Sequence, residues 1–232
     1  LRFVGFMALN GLLGSLQPQR RPMQHKSYHF FNYLRIALQQ FRAEHPELPA
    51  AQVPEPPPTD GPAVVLPLQL PTDSQFVMYS PFKHNQELVD FVSRQVRAVL
   101  PDAQLLVKKH PMDVRSYRLP AGARWIDGSL ARFNERRVVF VCLNSNVGFE
   151  AAIHGKPVLC FADSFYTGHP SVTRVSREDF AQQLTAAAAR ADDPAAGRAL
   201  RAAVLRHCQA PGDVWAYSAE DLALTRDIVV KH

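Results

Sequence analysis

Val138 to Leu143 reads VVFVCL, six consecutive apolar residues of which three are β-branched. The run is too short for a buried helix and does not alternate. It fits a strand covered on both faces, as at the centre of a parallel sheet. Parallel neighbours cannot be joined by a hairpin; each needs a crossover, usually a helix. One hexapeptide therefore argues for an α/β layout in which strands and helices alternate.

The rest of the chain after residue 62 keeps to that alternation. Ala63 to Leu68 is an apolar strand, and Gln75 to Tyr79 reads as another. Asn85 stands as N-cap of a helix running to Leu100, with Leu88, Phe91, Val92, Val96 and Val99 as its buried stripe. Leu105 to Val107 is a short strand, Val147 to His154 a helix, and Pro157 to Phe161 a further strand. Ser176 with Asp179 resembles a capping box ahead of an Ala-rich helix over Thr185 to Ala203, and Ser218 with Asp221 repeats the signal. The pattern predicts a Rossmann-like doubly wound domain over residues 63–232.

Nine of the nineteen prolines fall between Pro46 and Pro71. Leu48 to Pro62 is proline-rich, polar and without apolar periodicity, which marks residues 48–62 as a linker. Before it, Phe30, Tyr33, Leu34, Ala37, Leu38 and Phe41 stand at helical spacing, so residues 1–47 read as a helical remnant. The chain opens inside an apolar stretch, Phe3 to Leu16, that reads as the end of an element begun upstream. It falls short of the roughly 20 residues a bilayer span needs, although it suits an interfacial helix.

Hydrophobic residues make up 47% of the chain and charged residues 20%, which excludes global disorder and a disulfide-stapled mini-protein. A net charge of +5 suits a partner that carries phosphates or an anionic membrane surface. No Lys/Arg run is long enough for a nucleic-acid tail. Cys142, Cys160 and Cys208 have no metal-ligand or disulfide spacing, and the first two sit in apolar runs, as reduced core thiols do.

Open α/β sheets bind ligands at the carboxyl ends of their strands. Three polar clusters sit there. In Pro67 to Gln75 the amides of Gln69 and Gln75 flank Asp73, a base or nucleophile, or else the closing residue of an Asx-turn. Lys108, Lys109, His110 and Pro111 form a basic turn in which His110 and a lysine can hold a phosphate or protonate a leaving one, or else form a solvated edge. Asn144, Ser145 and Asn146 open a helix whose N-terminus favours an anion. Gly148 there permits close approach, and Glu150 can take a ribose hydroxyl pair or offset the dipole of a plain core helix.

In order and spacing, PLQLPTDSQ, KKHP and LNSNVGFEAAIHGKPVLCFADSFY resemble the bacterial capsule polysaccharide synthesis family of the KpsC/KpsS/LipB type, over roughly residues 63–175. The resemblance implies the nucleotide-sugar half of a GT-B glycosyltransferase, with residues 1–47 left from the acceptor-side domain. It implies a retaining β-Kdo transferase that uses CMP-β-Kdo. The acceptor would be a phosphatidylglycerol-type lipid, or that lipid already primed with Kdo, in polysaccharide synthesis and export. Asp73 would be the catalytic carboxylate, and His110 with Pro111 the pair at the CMP phosphate, His110 also acting in catalysis. Asn144 and Ser145 would hold phosphate or sugar carboxylate, Lys108 and Asn146 would stand among the donor-binding residues, Gly148 and Glu150 would lie along the nucleotide, and Gln69 and Gln75 would line the donor pocket. The implied setting is cytoplasmic and peripheral to the inner membrane, beside other capsule assembly proteins, with no nucleic acid, metal or further cofactor. A CDP-glycerol-type polyol-phosphate transferase and a non-catalytic nucleotide-binding module remain alternatives.

Other features carry less. His25 and His29 have the i, i+4 spacing of a metal pair but no third ligand. Arg20, Arg21 and Lys26 suit anionic headgroups or a solvated face. Phe165 and Tyr166 suit stacking on a base or core packing, Trp125 and Trp215 suit packing, and His154 suits a helix C-terminus.

Overall fold

A computed structural model describes residues 62–207 apart from Ser129, Asn134 and Glu135. The proposed remnant and linker, the His25/His29 pair, the basic Arg20–Lys26 cluster, Cys208, Trp215 and the Ser218 capping signal lie outside the described residues. The chain divides into two compact units, residues 1–129 and 130–232.

In the first unit, β1 (Ala63–Pro67), β2 (Gln104–Lys108) and β3 (Ala123–Ile126) form a parallel sheet in the order β3-β2-β1. Every residue of β1 is buried, as its unbroken apolar run requires. The crossover from β1 to β2 carries helices α1 (Ser74–Tyr79) and α2 (Asn85–Val99). Helix α2 buries Leu88, Val89, Phe91, Val92 and Val96, the expected stripe plus Val89 and without Val99. Each such side chain contributes roughly 1.5–3 kcal/mol by leaving water.

The second unit repeats the plan. Strands β4 (Val138–Cys142), β5 (Val158–Cys160) and β6 (Val172–Arg174) are parallel in that order. Helix α3 (Asn146–Ile153) joins β4 to β5, and α4 (Phe180–Ala189) and α5 (Pro194–His207) follow β6. The turn after α3 needs glycine at Gly155, where φ is 75° and a Cβ would lie 2.2 Å from the Asp193 carbonyl oxygen. Gly197 lets α5 approach the end of α3, because a Cβ there would meet the Ile153 carbonyl at 2.5 Å.

The α/β reading therefore holds, with βαβ crossovers in both units. Four local expectations change. Gln75 to Tyr79 is helix, not strand, because the Asp73 side chain caps its first turn. The cap of α2 is His84, whose Nδ1 accepts from the Glu87 N–H at 3.1 Å; Asn85 is the first helical residue and fully buried. The Ala-rich segment is two helices, broken where Asp193 caps Ala196 at 2.9 Å and Pro194 opens α5. Strands β3 and β6 were not expected: they read ARWI and VTR and are only partly buried, so neither carries the continuous apolar run that marks the equally short β5. The Ser176/Asp179 box does form, with the Ser176 N–H donating to Asp179 Oδ1 at 2.6 Å and the Asp179 N–H to Ser176 Oγ at 3.3 Å.

Candidate ligand-binding turns at the strand ends

Beyond β1 the chain stays on the sheet for one more bond, from the Leu68 N–H to the Lys108 carbonyl at 2.8 Å, and then turns. The Asp73 N–H closes that turn on the Leu70 carbonyl at 2.9 Å. Asp73 Oδ1 accepts from the Gln75 N–H at 2.9 Å, so the local turn expected as the plain alternative is present. The carboxylate is half-buried and its Oδ2 is left for another partner. Gln69 is half-buried, with its carbonyl accepting from Asn85 Nδ2 at 2.8 Å; Gln75 is exposed.

The turn after β2 brings His110 into the same electrostatic neighbourhood. His110 is half-buried, and its Nδ1 accepts from the Met112 N–H at 3.1 Å. The proton of the neutral ring therefore sits on Nε2. Burial lowers the pKa of His110 below its ordinary 6.5; the carboxylates of Asp113 and Asp73 oppose that shift, and Lys108 adds to it. His110 is thus a neutral donor at pH 7, in place of the cationic acid the sequence allowed. Lys108 Nζ donates to the Gly128 carbonyl, and Lys109 Nζ to the Arg115 carbonyl at 3.0 Å. Pro111 is exposed in the turn.

Behind His110 is a buried polar network that sequence reasoning missed. Asp113 is 2% exposed. Its N–H donates to the His110 carbonyl at 2.9 Å, and its carboxylate accepts from the Arg115 N–H at 3.0 Å and the Tyr117 hydroxyl at 2.6 Å. Burial and the bond to Asp113 hold the Tyr117 phenol well above its ordinary range. Asn85 Nδ2 reaches the same hydroxyl at 3.4 Å as well as the Gln69 carbonyl, so one buried amide ties the turn after β1 to the turn after β2. The available signal was an Asp three residues after the His of a His-Pro pair, with a Tyr four further on.

The third cluster belongs to the second unit. Asn144 Nδ2 donates to the Asp163 carbonyl at 3.0 Å. Ser145 is the N-cap of α3, yet its side chain makes no capping bond; its carbonyl accepts from the Gly148 N–H at 2.9 Å and the Tyr166 hydroxyl at 2.7 Å. Asn146 and Glu150 are exposed on the first two turns. Gly148 is needed for packing within the protein, since a Cβ would lie 2.5 Å from the Tyr166 hydroxyl and 2.7 Å from Cys142 Sγ. Cys142 and Cys160 are paired across β4 and β5 with sulfurs 3.7 Å apart. Pairing with Cys142 and burial push the Cys160 thiol up, so it stays protonated. Tyr166 is core, whereas Phe165 is 62% exposed with its ring 5.1 Å from Phe149. His154 is the C-cap of α3. The fully buried Lys156, also missed, donates to Asp192 at 2.6 Å and the Arg136 carbonyl at 2.9 Å.

Among the described residues no group of three metal-ligating side chains occurs, and no helix is long and apolar enough to cross a membrane. The structure ties the turns of Gln69 and His110 to one buried network, places Asp73 and Lys108 in the electrostatic surroundings of His110, and gathers Asn144 to Glu150 on a single strand-to-helix turn.

Parallel strands joined by helical crossovers, with polar turns at their carboxyl ends, define a Rossmann-like α/β architecture. The family model described as "Capsule polysaccharide biosynthesis protein" matches residues 19–213, and the chain belongs to that family. It is 32% identical over 120 residues to Protein FixF of Sinorhizobium fredii (strain NBRC 101917 / NGR234), a match covering 48% of this chain and 29% of that protein. Among solved structures it is similar to Thermosulfurimonas dismutans KpsC, a beta Kdo 2,7 transferase, with 19% identity and a TM-score of 0.46 over 99% of this chain and 67% of that one.

Proposed function

We propose that the chain is the nucleotide-sugar-binding part of a retaining GT-B glycosyltransferase of capsule synthesis. The donor is CMP-β-Kdo, and the acceptor a phosphatidylglycerol-type lipid or its Kdo-primed form. The observation that carries the reading is His110: its Nδ1 is occupied by a backbone N–H, so Nε2–H is the group offered to a ligand. A neutral imidazole N–H suits a phosphate that leaves as a monophosphate, because it stabilises charge without proton transfer. Lys108, Asn144, Ser145 and Asn146 act as phosphate or carboxylate ligands, Glu150 takes the ribose, and Gln69 and Gln75 line the donor pocket. Gly148 serves the nucleotide indirectly, by letting Tyr166 hold the Ser145 carbonyl. Pro111 keeps the His110 turn rigid.

In this reading Asp73 Oδ2 attacks the anomeric carbon. The carbon–oxygen bond to phosphate breaks with its electron pair going to CMP, and a glycosyl ester on Asp73 forms. An acceptor hydroxyl then displaces the ester oxygen, and its proton passes to solvent; two inversions give retention. The work takes place at the cytoplasmic face of the inner membrane, beside other capsule assembly proteins. The family match supports the place in capsule synthesis.

The test is calorimetric titration with CMP, with UMP and CDP-glycerol as controls. Selective CMP binding that is lost in His110→Ala is the expected result. A folded chain that ignores CMP, or prefers CDP-glycerol, would overturn the donor assignment.

A further inference from the structure

We propose that a groove on the first unit, away from the strand-end turns, binds an oligosaccharide that carries carboxylates. The groove lies between the second half of α2 and residues 118–121, is open to solvent, and offers about 550 Å3. That is within the roughly 300–1,000 Å3 of small-molecule sites and is room for a short oligosaccharide.

Three guanidinium groups line it, those of Arg94, Arg97 and Arg118, against one carboxylate among the described residues, Asp90. Asp90 is engaged by Gln86 Nε2 at 3.0 Å and pairs with none of the three arginines. Arg97 is held by the Ala121 carbonyl at 2.5 Å. The side chains of Arg94 and Arg118 have no hydrogen-bond or ion-pair partner among the described residues, and both are exposed. The Arg118 backbone, by contrast, is pinned: its N–H donates to Gln86 Oε1 and its carbonyl accepts from Gln86 Nε2, each at 2.8 Å. The wall that presents Arg118 is therefore fixed to α2 while its guanidinium stays available.

Arg94 and Arg97 stand one turn apart on α2, where like charges repel unless an anion lies between them. The groove flanks the C-terminal half of the helix, whose dipole does not attract anions, so the arginines supply the positive field. A guanidinium fork pairs bidentately with a planar carboxylate. Leu119, Pro120 and Ala98 give the lining flat apolar faces. Among the described residues that line the groove there is no aromatic ring to stack a base. Charge spaced along a groove, with apolar walls between, fits an acidic sugar chain better than a nucleotide.

The choice of a glycan rests on membership of a polysaccharide-synthesis family and not on the donor assignment. The groove shares no residue with the turns that hold Asp73 and His110, so the two sites are tested with different titrants.

The experiment titrates the full chain calorimetrically with trigalacturonate, maltotriose and inorganic phosphate in turn. Trigalacturonate is expected to bind with an affinity that falls as salt rises. The double variant Arg94→Gln/Arg118→Gln, both positions exposed, is expected to weaken that binding at least about tenfold while leaving the response to CMP unchanged. Four results would each overturn the proposal: no heat from trigalacturonate up to roughly 10 mM, equal binding of maltotriose, phosphate binding as tightly as trigalacturonate, or full affinity in the double variant.

Discussion

Strands β2 and β4 each deliver a polar turn at the carboxyl end, but different materials lie behind the two turns. Behind His110 stand a buried carboxylate, a half-buried phenol and a buried amide, bonded to one another and to the main chain. Behind Ser145 stand two thiols, a tyrosine ring and a glycine whose missing side chain lets them close up. The first arrangement pins the main chain at His110, whose ring is held by the Met112 N–H. The second fixes a backbone, leaving the first turn of α3 and the exposed Asn146 and Glu150 as its outward chemistry. Burying a polar network is costly wherever a member lacks a partner, as Asn85 Oδ1 does, so such a network is found where orientation of one group matters. Apolar packing is enough where only the path of the chain matters.

The largest effect that sharpens this contrast is at Asp73. Asp73→Ala is expected to reduce transfer by on the order of 10^3-fold or more while CMP binding persists; normal turnover would remove Asp73 from the mechanism. Next is Gly148→Ala in the second turn. A methyl group 2.5 Å from the Tyr166 hydroxyl is expected to destabilise the fold by about 1–3 kcal/mol, read as a lower urea midpoint. The imidazole resonances of His110 should stay where they are. If the variant is as stable as the parent, the packing account of Gly148 fails.

Asp113→Asn tests the first turn in the opposite way. Asp113 raises the His110 pKa against the larger effect of burial, so removing its charge should lower that pKa further, as followed by nuclear magnetic resonance titration of the ring. An unchanged or higher value would show that the carboxylate does not govern the ring.

The smallest effect is on acid stability. Unfolded His110 titrates near 6.5 and the folded group titrates lower, so below 6.5 the unfolded chain binds more protons. The fold should lose stability as pH falls from 6.5 through the folded value. His110→Gln should flatten that part of the curve, measured by urea unfolding at pH about 7 and about 5.5.

Much of this was legible in the residues. Strands β1, β2, β4 and β5 and helices α2 and α3 announce themselves because burial on both faces, or on one stripe, leaves a continuous or periodic apolar signature. Gln75 to Tyr79 misleads for a physical reason: FVMY suits a strand by propensity, but Asp73 offers its carboxylate to the Gln75 N–H and tips the segment into a helical turn. Only Phe76 of that helix is buried, so no stripe warns of it.

The sequence by itself determined the alternation of strands and helices, and placed Asp73, His110 and Asn144 at the ends of strands, because periodicity and turn chemistry are local. It also marked Cys142 and Cys160 as core thiols. Only the tertiary structure decided that Asn85 ties two turns together across 16 and 32 residues of chain, that Asp113 sits behind His110, and that Gly148 makes room for Tyr166. Those outcomes depend on partners distant in sequence, and what a side chain costs or contributes when buried is set by the atoms the fold brings against it.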